Sequence, residues 1–257
     1  MILAHRGNHE LKGGSIDNTI ESLDNAAHDG HSDAVEMDFQ PLGDGTLVVY
    51  HDSELADGSR QGTPLSDLGR DDIETPEYAK IPTLEEWAEH AGSLGVNVMA
   101  EFKGHGFEQE AIETLQRYIR PHHLATWSFD RDALSAVHAI DPTIPQALVI
   151  DRDDDAGSPA EQVDSLGYRP QFVEVVDENV NEDVLDDMTA RGIGVLVGES
   201  DGYRQSQLFR DDRISGIVTS YVTQADDLRD GRTRAVWSPI TGTTILPGLG
   251  PTYMPLD

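Results

Sequence analysis

Asp33-Ala34-Val35-Glu36-Met37-Asp38-Phe39 places two carboxylates two residues apart inside an otherwise apolar run. Alternate residues of a strand point to one side, so as a strand the run turns Glu36 and Asp38 toward a single cavity. Two like charges in one enclosure raise each other's free energy unless a cation or hydrogen bonds compensate. The first expectation is therefore a divalent metal held by this pair. His5-Arg6-Gly7 lies upstream and His51-Asp52 downstream, each beside a short apolar run, and two flanking histidines point to hydrolytic chemistry.

Working outward, runs of strand length recur at Ile2 to Ala4, Leu47 to Tyr50, Val96 to Phe102, Leu124 to Phe129, Ala147 to Ile150, Phe172 to Val176, Ile193 to Val197 and Ile214 to Thr219. Continuous rather than alternating apolar runs suit parallel strands covered on both sides. Helical stretches are expected between them at Asn18 to His28, Leu84 to Ala91, Phe107 to Ile119, Arg131 to Ala139, Glu182 to Arg191 and Gln224 to Arg229. Thr83 ahead of Glu85-Glu86 resembles a capped first turn with acids at the positive end of the helix dipole. Alternation from end to end with no long linker predicts an α/β chain folded as one (β/α)8 TIM barrel over residues 1–231. Leu47 to Tyr50 is one strand too many, and is expected to extend the second strand as a hairpin after Gly43-Asp44-Gly45. Residues 53–80, rich in Asp, Gly, Pro and Ser, read as a short insertion over the barrel mouth. The tail, 232–257, carries prolines and glycines at no fixed spacing and is expected to be irregular.

Composition narrows the partners. The 257 residues hold 48 acidic and 18 basic side chains, a formal net charge of -30. Phosphate backbones are bound through Lys and Arg, so nucleic acid and anionic membranes are poor partners. Lys12, Lys80 and Lys103 are the lysines, the other basic residues being arginine; abundant acid with scarce lysine resembles proteins of extreme halophiles, where salt screens self-repulsion, and a halophilic archaeon is the expected source. Cysteine is absent, which excludes disulfides and thiolate chemistry. Met1 leads straight into Ile2-Leu3-Ala4-His5 with no apolar signal segment or membrane span, so the expectation is a cytoplasmic, soluble protein with no stable membrane insertion. The oligomeric state is not legible.

On a parallel barrel the catalytic groups lie at the carboxyl ends of strands. His5-Arg6 ends the first strand, Glu36 and Asp38 end the second, His51 follows the hairpin, and Glu101 with Lys103 ends the third, so all fall at one rim. With these residues in place the chain resembles the glycerophosphodiester phosphodiesterase family. The matching segments are His5-Arg6-Gly7, Asp17-Asn18-Thr19 with Glu21-Ser22 beyond, Glu36-Met37-Asp38, Asp44-Gly45 leading to Val49-Tyr50-His51-Asp52, Ile81-Pro82-Thr83-Leu84-Glu85-Glu86, Ala100-Glu101-Phe102-Lys103 and Ser128-Phe129-Asp130. They run through the first half of the chain in the family's order.

The resemblance implies that Glu36, Asp38 and Glu101 are metal ligands for one hard divalent ion, Mg²⁺ or Ca²⁺, with Mn²⁺ also compatible with oxygen-only ligation. It implies that His5 and His51 are the catalytic histidines: one accepts a proton from the attacking oxygen, the other donates one to the departing alkoxide, and imidazole titrates near working pH. His5 is assigned the base and His51 the acid, with the reverse left open. Arg6 and Lys103 resemble the family's phosphate-contacting cations, with ion pairs to Glu36 or Glu101 as the structural alternative. Asn18 either orients His5 or the phosphate, or caps the following helix.

The resemblance implies a small-molecule phosphodiester as partner and metal-dependent hydrolysis of a glycerophosphodiester to glycerol phosphate and an alcohol, in lipid head-group metabolism. Two departures bear on the substrate. Val195-Leu196-Val197-Gly198-Glu199-Ser200 stands where the family has Trp-Thr-Val-Asn, and Thr219-Ser220-Tyr221-Val222 where it has Thr-Asp followed by an aromatic or basic residue and Pro. The alternatives are a lyase resembling the phospholipase D toxins, which ends at a cyclic phosphate, and a barrel that binds a phosphodiester without turnover.

Overall fold

The computed structural model describes residues 1–8, 16–151, 156–198 and 208–229; the expected tail, 232–257, lies outside them. In chain order the elements are β1 (Ile2–Ala4), α1 (Ile20–Asp29), β2 (Ala34–Pro41), β3 (Leu47–Val49), α2 (Arg70–Ile73), α3 (Leu84–Leu94), β4 (Val98–Phe102), α4 (Glu108–Tyr118), β5 (Leu124–Ser128), α5 (Arg131–Ile140), β6 (Gln146–Val149), α6 (Pro159–Asp164), β7 (Phe172–Val176), α7 (Glu182–Ala190), β8 (Gly194–Gly198), β9 (Ile214–Thr219) and α8 (Val222–Leu228). The sheet runs β1-β9-β8-β7-β6-β5-β4-β2-β3, and β1 also pairs with β2. Setting aside β3, the eight remaining strands are parallel and closed, which is the (β/α)8 barrel expected from the alternating pattern.

Strand parity sorts the core into two layers. Leu3, Ala34, Met99, Ala125, Trp127, Ala147, Val149, Phe172, Leu196 and Val218 form the cluster that fills the barrel. Their outward neighbours, among them Val35, Met37, Phe39, Ala100 and Phe102, pack against the helices in a larger cluster with Leu23, Trp87, Ile112 and Leu134. Because Ala34 and Met99 face inward, Glu36, Asp38 and Glu101 share that face nearer the carboxyl rim. Phe39, Phe102 and Phe107 stack edge and face on the outside, with centroids 4.6 to 5.9 Å apart.

The second strand carries an overhang. Its start pairs with short β1 through Ala34 and Val35, and its end pairs antiparallel with β3, Phe39 opposite Val49 and Pro41 opposite Leu47. The expected hairpin is present, closed by Leu42 N–H donating to Thr46 O at 2.8 Å. Residues 53–80 are more ordered than a bare loop. Leu55, Leu65, Leu68, Ile73 and Tyr78 bury themselves with Leu42 and Val48 in a third, separate cluster. Gly43 is where this segment meets the hairpin: its N–H donates to Leu65 O and Leu68 O, and a Cβ there would lie 2.1 Å from Ser66 O.

Helix starts follow their caps. Thr83 and Glu86 form the reciprocal capping box at α3, as its sequence suggests. The α6 helix, not expected, opens on Ser158, Pro159 and Glu161 with the same device. At the amino end of the barrel Arg229 is buried beside Asp33 (2.6 Å) and Asp226, and Asp33 also accepts the Ile2 N–H at 2.8 Å, so α8 is tied to the first two strands. Among the described residues no helix is long and apolar enough to cross a membrane.

Candidate active site

Asp38 and Glu101 are direct partners across the β2–β4 ladder, and Glu36 sits one inward step below Asp38. Oxygens of the three carboxylates lie within 4.8 Å of one another, and all three residues are buried. Burial, then Asp38 and Glu101, push the Glu36 carboxyl well above its ordinary range. Its Oε2 accepts the Arg6 N–H at 2.8 Å; Oε1 is buried with no hydrogen-bond partner. Burial and then the Asp38 charge push Glu101 up to about 7, with Lys103 acting against them. Asp38 moves the other way: burial would raise it, but Lys103, the Asn18 amide, Arg6 and His51 together hold it below the usual range. One settled carboxylate beside two that resist ionisation, with an orphan oxygen among them, is the chemistry of a site suited to a cation. Three hard oxygen donors suit a divalent ion of the Mg²⁺ or Ca²⁺ kind, so the residues present fit the expected group.

The two rim cations already serve these acids. Arg6 Nε lies 3.3 Å from Asp38 Oδ2, and its Nη1 lies 3.4 Å from Asp17. Lys103 Nζ lies 3.1 Å from Glu101 Oε1 and 3.6 Å from Asp38 Oδ1. Glu101 and Asp38 raise the Lys103 pKa more than its burial lowers it, so the ammonium is charged at any working pH.

Asn18 is not the helix cap. Thr19 takes that role, accepting from Ser22 N–H with Ser22 reciprocating, while the Asn18 amide donates to Asp38 Oδ2 at 2.8 Å and accepts from Asp38 N–H at 3.1 Å. Asn18 (φ 60) and Arg6 (φ 57) are the non-glycine residues with positive φ among the described residues, a conformation that costs roughly 1–2 kcal/mol each. Both strained residues touch Asp38. Gly7 completes the loop after β1: its φ is 86, and a Cβ there would lie 2.5 Å from Ser22 Oγ.

The histidines follow β1 and β3, the two strands that pair with β2 opposite β4. His5 continues the inward face of β1, its N–H bonded to Thr219 O at 3.1 Å and its Nδ1 3.3 Å from Ser220 Oγ. His51 follows β3, partly exposed, with Nδ1 2.7 Å from Asp52 Oδ1, which leaves Nε2 as its nitrogen for proton transfer. Trp127 is buried in the barrel filling, opposite Glu101 on the neighbouring strand. Two contacts were not foreseen from sequence. Ser220 lies in one of the two divergent strand ends. Gln40 shares the strand phase of Glu36 and Asp38, and that spacing was the available signal. Glu199 and Ser200 lie outside the described residues. A second cluster, His105 with Asp130 and Asp132, is already occupied: Asp130 caps α5 through Asp132 and Ala133 N–H and takes His105 Nδ1 at 2.6 Å.

The family model described as the glycerophosphoryl diester phosphodiesterase family matches residues 5–224. A Bacillus subtilis protein called glycerophosphodiester phosphodiesterase is 25% identical over 257 residues, covering 86% of this chain and 83% of that protein. One of the same name from Bacillus altitudinis is 28% identical over 164 residues, 58% of this chain and 65% of the relative. Among solved structures, an Oleispira antarctica phosphodiesterase in complex with the product sn-glycerol-3-phosphate superposes with TM-score 0.73 at 23% identity, covering 90% of this chain and 96% of that one. The Thermotoga maritima glycerophosphodiester phosphodiesterase superposes with TM-score 0.70 at 24% identity, covering 89% and 97%. The chain therefore belongs to the glycerophosphoryl diester phosphodiesterase family, and with it to the phosphoric diester hydrolases.

Proposed function

We propose that this protein is a metal-dependent phosphodiesterase that cleaves a glycerophosphodiester into glycerol phosphate and an alcohol. The observation that carries the reading is the buried trio Glu36, Asp38 and Glu101, with its orphan Glu36 oxygen and with Arg6 and Lys103 beside it. Glu36, Asp38 and Glu101 would hold the ion. When bound, a divalent cation supplies Lewis-acid stabilisation of phosphoryl oxygens. Arg6 and Lys103 add fixed positive charge at the same rim, where a phosphodiester's negative charge and its increase in the transition state need compensation. Asn18, committed to Asp38 at both ends of its amide, holds that carboxylate rather than the phosphate.

His5 takes the proton from the attacking oxygen, of water or of the neighbouring glycerol hydroxyl. His51, oriented by Asp52, returns a proton to the departing alcohol. The product complex of the Oleispira antarctica relative supports glycerol phosphate as the product class. The reading extends to salt: with a net charge of -30, screening of self-repulsion supports a protein adapted to concentrated salt.

The test is ³¹P NMR of purified protein with glycerophosphocholine and glycerophosphoglycerol in molar salt, with Mg²⁺, Mn²⁺ or Ca²⁺ and with a chelator. Metal-dependent appearance of glycerol phosphate is expected. A cyclic phosphate as end product would move the assignment to lyase chemistry, and no turnover with any metal, on these diesters or on bis(p-nitrophenyl) phosphate, would overturn the enzyme reading.

A further inference from the structure

Beyond Val49 the β2–β3 ladder stops, yet the next three residues do not leave the sheet freely. The Gln40 amide nitrogen donates to Tyr50 O at 2.9 Å, His51 O at 3.1 Å and Asp52 O at 2.9 Å. Three carbonyls can converge only on the NH₂ end of the amide, which fixes its orientation. They can do so only if the chain curls around that nitrogen, with His51 the middle residue of the arc. The ladder gives this segment one anchor, Tyr50 N–H to Asp38 O at 3.0 Å; past it, Gln40 supplies the donor that the three carbonyls share. Two hydrogens serving three acceptors makes at least one bond three-centred, so the amide is saturated. Gln40 itself is buried.

Gln40 also stands on the inward face of the strand that carries Glu36 and Asp38. A single strand thus supplies two of the three carboxylates and, through the next inward side chain, holds the His51 arc. We propose that Gln40 is a positioning residue that sets the His51 imidazole in register with the Glu36–Asp38 strand. The proposal rests on reading His51 as a proton-transfer group.

Gln40→Met keeps length and loses the donors; Gln40→Lys restores N–H donors to the three carbonyls. With substrate, the expected result is a roughly 10–100-fold fall in kcat for Gln40→Met, the scale of a lost supporting hydrogen bond, with KM changed less than threefold and partial recovery in Gln40→Lys. In the His51→Ala background Gln40→Met should cost less than twofold more, because a residue acting through His51 has nothing left to position. Independent, additive losses in the double variant would overturn the proposal. A readout apart from turnover is the NMR ring signal of His51, assigned by its loss in His51→Ala. In Gln40→Met it should move or broaden while the signals of the nine other histidines hold. An unchanged His51 signal in a folded Gln40→Met protein would overturn the positioning role. A changed signal in an otherwise inactive protein would sustain positioning and sink the proposed function instead.

Discussion

Lowering the pH should unload the metal from this site well above the ordinary carboxylate range. Ligands must be deprotonated to bind, and Glu101, pushed up to about 7 by burial and Asp38, holds a proton that the metal must displace. Between pH 8 and pH 6 this one group should weaken apparent affinity about tenfold, because its protonated fraction rises from about a tenth to about nine tenths. Glu36, also raised, steepens the decline further. The sign for metal-free stability follows from the same shift. The native state binds more protons than the unfolded chain between the ordinary 4.5 and about 7, so metal-free protein should lose stability as pH climbs through that window, by roughly 3 kcal/mol. Asp38 is shifted downward, so its stabilising contribution is lost only as pH falls below about 4, outside the window. Isothermal titration with Mn²⁺ from pH 5.5 to 8.5, in buffers of different ionisation enthalpy, counts released protons directly. Urea unfolding of metal-free protein and of Glu101→Gln measures the slope. Affinity that is flat between pH 6 and 8, with no proton release, would refute the reasoning.

Other substitutions separate stability from activity. Glu36→Gln replaces a carboxyl that burial and its acidic neighbours keep from ionising with a neutral isostere, so the metal-free protein should keep its stability while metal-induced stabilisation and turnover disappear; thermal scans with and without Mn²⁺ check both. Gly7→Ala should cost about 2–4 kcal/mol, because φ is 86 and the new Cβ would meet Ser22 Oγ at 2.5 Å; denaturant midpoints read it. Asn18→Ala strips the donor at 2.8 Å from Asp38 and should weaken metal binding about tenfold, as titration would show. Raising KCl from 0.1 M to 2 M should lift the thermal midpoint by about 10 °C or more as a net charge of -30 is screened.

Much of this was legible in the sequence where the signal was strand phase. Glu36 and Asp38 on one face predicted a shared cavity, and the apolar runs predicted every barrel strand, because burial on two sides leaves a continuous apolar imprint. What remained hidden depended on partners distant in sequence. By residue type alone Asn18 could be a cap or an orienting group for His5 or the phosphate; its amide bonds to Asp38 exist only in the folded chain. Gln40 acts on backbone carbonyls, which have no signature in a one-letter string. The α6 helix spans six residues, Pro159–Asp164, too few for a periodic signal. Leu55, Leu65, Leu68, Ile73 and Tyr78 are spaced irregularly, so their common cluster could not be read as one.

That cluster has a further consequence. His5 rides on a barrel strand, whereas His51 stands between the barrel and a small apolar nucleus that shares none of the barrel's clustered core residues. Segments with separate cores open independently, and smaller ones open at lower free energy. Heating should then silence the protein in two stages: first a reversible loss of turnover as residues 53–80 melt and leave the His51 arc held by β2 alone, and only later the collapse of the barrel itself.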